Sequence, residues 1–156
     1  MTTFTIREAR PDEAAAVSAL ALRSKGHWGY DAAFLETCRA DLTWTAAEIA
    51  SSAAFVGEAE GALLGFSLVF LRDEVTAELD ALFVDPAAIG LGVGKALWER
   101  SVAAAQALGA SDLIWMSDPH AEPFYRSRGA DRLGEAESAV TPGRMLPLMH
   151  LSLGRS

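Results

Sequence analysis

Ten residues, Pro86-Ala87-Ala88-Ile89-Gly90-Leu91-Gly92-Val93-Gly94-Lys95, constrain this chain more than any other stretch. They separate an apolar run that reads as a strand, Val75 to Val84, from one that reads as a helix, about Leu91 to Leu108. Alternating glycines at such a joint let the backbone approach a ligand closely. The first helical N–H groups, at the positive end of the helix dipole, then suit a phosphate or pyrophosphate. Two other glycine-rich turns are excluded. A P-loop requires Gly where Ile89 stands and Ser or Thr where Ala96 stands. A dinucleotide fingerprint requires its third Gly where Lys95 stands, and it follows the first strand of its unit rather than a late meander. A tight strand–helix joint without a ligand stays open on the turn alone.

The surrounding pattern predicts a mixed α/β sheet. Phe4-Thr5-Ile6-Arg7 alternates as a first strand, and Pro11, Asp12 and Glu13 open a helix that runs to about Arg23. Gly26-His27-Trp28-Gly29-Tyr30 interrupts. Asp31 caps a helix to about Asp41, and Thr45 with Glu48 caps a short one. Strand-like runs at Ala54 to Glu58 and Leu63 to Leu71 meet at Glu60-Gly61, and the third run ends at Asp85-Pro86. In the long helix, Val93, Leu97, Ala104 and Leu108 line one face, and Gly109 stops it. Leu113 to Met116 reads as a strand, Glu122 to Arg128 as a short helix closed by Gly129, and Met145 to Leu153 as the last strand. With 156 residues, 51% of them apolar, and no linker or repeat, residues 1–156 are expected to form one domain around one core.

Charge and composition exclude several functions. Thirteen basic against 21 acidic residues leave a net charge of −8, which repels phosphate backbones, so no nucleic-acid partner is expected. The same surface favours cationic small molecules. No apolar run approaches the ~18 residues of a membrane span, and the N-terminus does not read as a signal peptide, so a cytoplasmic location is expected. Cys38, the one cysteine, offers neither an intramolecular disulfide nor a thiol zinc site, and no metal is expected.

Two segments resemble the GNAT superfamily of acyl-CoA N-acyltransferases. Leu82-Phe83-Val84-Asp85-Pro86 with Gly90-Leu91-Gly92-Val93-Gly94-Lys95-Ala96-Leu97 looks like that family's main cofactor motif, although Ile89 stands where the family usually has Gln or Arg. Asp118-Pro119-His120-Ala121-Glu122-Pro123-Phe124-Tyr125-Arg126-Ser127-Arg128-Gly129-Ala130 looks like its Asn-x-x-Ala-x-x-Phe-Tyr-x-x-x-Gly-Phe segment, with Asp118 for Asn and Ala130 for the aromatic. The resemblance implies a mostly antiparallel central sheet flanked by helices, and acetyl-CoA as donor. It places the cofactor along Leu82, Phe83 and Val84, its pyrophosphate on the amides of Leu91, Gly92, Val93, Gly94 and Lys95, and Tyr125 near its sulfur as a proton donor. Asp118 either caps the short helix or holds the pantetheine arm.

Acyl transfer to an amine at neutral pH benefits from a base, because a primary amine with a pKa near 10.4 is neutral in only about one molecule in a few thousand. Glu78 and Asp80 are two apart on one strand and are expected to share a face, with Leu79, Ala81 and Phe83 on the other. They are candidate bases, Glu78 matching by ungapped count a position where some family members carry a catalytic Glu. Read blandly, they are a solvated or amine-binding pair. Phe124 is expected in the core. The Lys25-to-Tyr30 loop is expected over the acceptor, with Trp28 and Tyr30 offering ring faces. The reading is an N-acetyltransferase acting on a primary amine of a small molecule or peptide by direct attack in a ternary complex. A non-catalytic acyl-CoA-binding or regulatory module, or transfer of a longer acyl group, is the alternative. A homodimer through the C-terminal strands stays open.

Overall fold

A computed structural model describes residues 3–154. Seven strands form one sheet: β1 (Thr5–Glu8), β2 (Ala53–Ala59), β3 (Ala62–Leu71), β4 (Thr76–Val84), β5 (Asp112–Met116), β6 (Asp131–Glu137) and β7 (Met145–Ser152), in the order β1-β2-β3-β4-β5-β7-β6. Every neighbouring pair is antiparallel except β4 and β5. Five helices cover the faces: α1 (Ala14–Gly26), α2 (Ala32–Cys38), α3 (Ala46–Ser51), α4 (Val93–Ala107) and α5 (Glu122–Ser127). Val17, Ala21, Cys38, Trp44 and Ile49 pack from the α1–α3 side onto Val56, Phe66, Leu68 and Ala81. On the other face, Trp98 and Ala105 of α4 and Tyr125 of α5 pack onto Val69, Leu79, Leu113 and Trp115. Among the described residues, no helix is long and apolar enough to cross a membrane.

The caps at Asp31 and Thr45 form as expected: Asp31 accepts the Phe34 N–H at 2.8 Å, and Thr45 and Glu48 make a capping box. Pro11 to Glu13 form a single 3-10 turn before α1. Cys38 is the last residue of α2 and buried, and α4 begins at Val93.

Three expectations are corrected. The strand β6 is unforeseen because its sequence, Asp-Arg-Leu-Gly-Glu-Ala-Glu, is polar and exposed, as suits an edge, and its register shifts at Gly134. The buried stripe of α4 is Val93, Leu97, Trp98, Ser101 and Ala105, while Leu108 is exposed. Ser101 is tolerated there because its hydroxyl donates to Ser67 at 2.9 Å, pairing two buried hydroxyls. The third correction lies in β4. Leu68 pairs with Ala81 and Val69 with Leu79, so Asp80 is an extra residue, a β-bulge. The bulge shifts the alternation by one. Leu79 faces α4, whereas Ala81 and Phe83 face the α1–α3 side together with Glu78, which lies opposite Phe70.

Close packing of α4 depends on a pair of glycines. Gly57 and Gly65 face each other on β2 and β3, and a Cβ on either would come within 2.9 Å of the Val93 side chain; at Gly65 it would also come within 2.7 Å of Leu97. The helix N-terminus is thereby held down on the sheet.

An ion-pair network ties β1 and β2 to the turn that precedes α1. Arg7 of β1 donates to both Glu13 oxygens, at 2.9 and 2.7 Å, and to Glu58 of β2 at 2.7 Å. The Arg7 hydrogen bonds outweigh burial and lower the Glu13 pKa from 4.5 to about 2. A depressed carboxylate stabilises the fold above its ordinary pKa and loses that contribution as pH falls through the folded value, so the window is pH 4.5 to 2. The size is on the order of 3 kcal/mol. Glu13→Gln is therefore expected to be less stable than wild type at neutral pH, with the gap closing through that window in urea titrations. A gap independent of pH would contradict this.

Candidate active site

The glycine turn has the geometry of an anion cradle. After β4, Asp85 accepts the Ala87 N–H at 3.0 Å and starts a 3-10 turn, Pro86–Ala88, whose Ala88 is buried. Gly90 (φ 90°) and Gly92 (φ 87°) lie in the left-handed region, and a Cβ on either would meet nothing within 4 Å. The glycines therefore serve the backbone path rather than packing. Gly94 has another purpose, since its Cβ would lie 3.3 Å from Val84. The first intrahelical bond runs from Ala96 N–H to Gly92 O at 3.1 Å. It leaves the N–H groups of Val93, Gly94 and Lys95 for an external acceptor. Ile89 and Leu91 are exposed beside them. Nothing here needs a side chain at position 89, because the donors belong to the backbone.

The cradle lies at the end of a notch. β4 pairs with β5 only at Thr76, Ala77 and Glu78, opposite Asp112, Leu113 and Ile114. From Leu79 to Val84 the β5-facing edge of β4 has no ladder partner among the described residues, so its N–H and C=O groups are open to an extended ligand. A cleft of about 680 Å³ occupies this divergence, lined among others by Leu82, Phe83, Trp28, Glu78, Asp80 and Tyr125. A smaller cavity of about 460 Å³ near Val75, Gln106 and Leu153 contains no titratable side chain. The open edge of β4, the free amides of α4 and the glycines that clear their approach fit a long anionic cofactor such as acetyl-CoA.

Phe124 packs against the core as expected, but Tyr125 is the more deeply buried of the pair. Tyr125 is only 6% exposed, packed 4.9 Å from Trp115 and 5.6 Å from Trp98, while Phe124 is half-buried. Tyr125 still lines the cleft, and among the described residues its hydroxyl has no hydrogen-bond partner. Burial, with Asp118 adding, pushes its pKa well above the phenol's usual value. It is a protonated donor at neutral pH.

Glu78 and Asp80 both line the cleft. Burial raises the Glu78 pKa; Arg72, 3.0 Å away across the β3–β4 turn, counters this, and Asp80 adds to it. Asp80 receives the Trp44 indole N–H at 2.8 Å. Its carboxyl is also held above the usual range, by burial first and then by Asp41 and Glu48, against the lowering effect of Trp44.

The acceptor-side loop is tied down through Asp118. Asp118 Oδ2 accepts from Lys25 Nζ at 2.6 Å and from Tyr30 OH at 2.9 Å, while Oδ1 takes the His120 N–H at 2.9 Å and lies 2.8 Å from His120 Nδ1. Arg144 donates to Tyr30 OH at 2.7 Å, and Trp28 stacks on His120 with ring centroids 5.0 Å apart. Burial opposes the charge on Asp118, but these bonds prevail, Lys25's foremost, and lower its pKa to about 2. Trp28 is thus on the rim, and Tyr30 is a tie between three loops. The Lys25-to-Tyr30 loop lies on the acceptor side as expected, but the ties of Lys25 and Arg144 to Asp118, 93 and 26 positions away, were not legible, because no local pattern links them.

The Acetyltransferase (GNAT) family model matches residues 19–130. A search of proteins of curated function returned no match. Among solved structures, the chain is similar to the GCN5-related N-acetyltransferase of Rhodopseudomonas palustris, at 23% identity, TM-score 0.76 and 97% coverage of both chains. It is also similar to the PaiA N-acetyltransferase of Thermoplasma acidophilum in complex with coenzyme A, at 16% identity, TM-score 0.75, covering 96% of this chain and 99% of that one. YncA of Salmonella typhimurium, a putative acetyltransferase with its cofactor acetyl-CoA, matches at 21% identity and TM-score 0.69, covering 99% and 96%. The fold, with its open β4 edge, and the family match agree: the chain belongs to the Acetyltransferase (GNAT) family.

Proposed function

We propose that this enzyme transfers the acetyl group of acetyl-CoA to a primary amine of a small molecule or peptide, by direct attack in a ternary complex. The observation that carries this reading is one cleft holding both a protonated, unpartnered hydroxyl, Tyr125, and a carboxylate of raised pKa, Glu78, beside an open strand edge. The amides of Val93, Gly94 and Lys95 would hold the pyrophosphate, and the free edge of β4 at Leu82 to Val84 the pantetheine arm. Bound there, acetyl-CoA supplies an electrophilic thioester carbonyl and a thiol leaving group. The N–H groups of that edge polarise a carbonyl laid against them. Glu78 takes a proton from the incoming ammonium, directly or through water, and Tyr125 holds the proton that a departing thiolate requires.

Direct attack is favoured by the absence, among cleft-lining residues, of a nucleophile paired with a base: Ser117 donates to the Asp118 carbonyl, and Cys38 does not line the cleft. The test is release of free thiol from acetyl-CoA with a panel of primary amines. Amine-dependent release, with the acetylated amine found by mass spectrometry, is the expected result. Tight acetyl-CoA binding with no thiol release for any amine would favour a non-catalytic binding module.

A further inference from the structure

Asp118 stands where the family usually has Asn, and its surroundings account for the exchange. Its Oδ2 accepts from Lys25 Nζ at 2.6 Å and from Tyr30 OH at 2.9 Å. Its Oδ1 accepts the His120 backbone N–H at 2.9 Å and lies 2.8 Å from His120 Nδ1. An ionised carboxylate offers about four lone-pair sites, so both oxygens are filled. The side chain is only 14% exposed. An asparagine here would aim its NH2, itself a donor, at one of these groups of donors. The same saturation leaves no lone pair for an N–H of the pantetheine arm.

The bonds to Asp118 join two parts of the cleft wall. Lys25 lies at the end of α1, and Tyr30 follows it in the loop. Arg144 braces Tyr30, donating to its hydroxyl at 2.7 Å with the guanidinium 5.0 Å from the Phe34 ring. Trp28, between Lys25 and Tyr30, is 43% exposed and stacks on His120, which Asp118 holds at two nitrogens. On the other side the chain turns from Asp118 directly into α5. The Asp118 carbonyl accepts the Ala121 N–H at 2.9 Å, and the Ala121 carbonyl accepts the Tyr125 N–H at 3.3 Å. Lys25, Trp28 and Tyr125 all line the cleft. Tyr125 is also held independently, by its packing against Trp98 and Trp115.

We infer that Asp118 is a positioning residue, which clamps the Lys25-to-Tyr30 loop to the start of α5 and does not hold the pantetheine arm. The acceptor wall thereby keeps a fixed spacing from Tyr125. This rests on the acetyltransferase reading and deepens it. The amine meets this wall, whereas the cofactor lies on the β4 edge and the α4 amides, so loosening the clamp acts on the amine.

The experiment makes Asp118→Asn and measures three things. Calorimetry gives the dissociation constant for acetyl-CoA, steady-state kinetics give KM and kcat for the primary amine with the fastest thiol release, and trypsin reports cleavage after Lys25. The constant for acetyl-CoA is expected to stay within about twofold. The amine KM is expected to rise at least about tenfold, as loss of a charge-assisted contact allows, with kcat within about threefold. Trypsin should cleave the variant at Lys25 at least about tenfold faster than wild type. Tyr30→Phe keeps the Lys25 ion pair and guards against misfolding of the first variant. It should raise the amine KM about threefold, as one lost hydrogen bond allows. Weaker acetyl-CoA binding with an unchanged amine KM would overturn the inference and return Asp118 to the pantetheine arm. An unchanged KM in both variants would overturn it as well. Faster trypsin cleavage with unchanged acetyl-CoA binding, but no thiol release for any amine in wild type, would overturn the acetyltransferase reading and leave the clamp standing.

Discussion

Tyr125→Phe is expected to lower kcat by about 10²- to 10³-fold, some 3–4 kcal/mol of transition-state stabilisation. The dissociation constant for acetyl-CoA should stay within about twofold, because the cradle and the β4 edge are untouched. The substitution also has little to destabilise. The ring stays in its packing against Trp98 and Trp115, and the hydroxyl has no hydrogen-bond partner to lose. An unchanged or slightly raised melting temperature alongside the lost rate would separate chemistry from folding. Stopped-flow acetylation and calorimetric binding check the two halves; an unchanged kcat would remove Tyr125 from the reaction.

Glu78→Gln is the second large effect. Loss of a general base costs about 10²-fold in kcat/KM at neutral pH. The pH profile carries the sharper sign. A base works when deprotonated, so wild-type activity rises with pH through the Glu78 pKa, which burial and Asp80 raise above its usual value against Arg72. That limb should vanish in Glu78→Gln, leaving only the ionisation of the amine itself. Glutamine keeps an oxygen toward Arg72, so the turn geometry survives. A drop of less than about threefold with the acid limb intact would move the base to Asp80 or to a water chain.

The sequence made the cofactor side legible and the acceptor side only partly so. The cradle could be read because its requirements are local: Gly90 and Gly92 need positive φ, and helix donors follow within three residues. Tyr125 could be located by the resemblance of its Phe-Tyr segment to the family's, on a short helix. The faces of β4 could not, because one bulge at Asp80 reverses the alternation, and a bulge is set by pairing with β3 rather than by β4 alone. The polar edge strand β6 escaped for a similar reason: Leu133 is exposed and Gly134 interrupts it, so its partner β7 supplies what its own pattern lacks. The ties of Asp118 to Lys25, Tyr30 and Arg144 join loops far apart in the chain. Only the packed sheet brings them together.

The most direct test of the account is thermal melting with and without acetyl-CoA. At about a hundred times the dissociation constant, binding should add roughly 2.7 kcal/mol. In a domain of this size, that raises the melting temperature by roughly 5 °C or more. The shift is expected despite Ile89, because the cradle is made of backbone. No shift at millimolar acetyl-CoA would mean that the glycine turn is only a joint, and the catalytic reading of the cleft would fall with it.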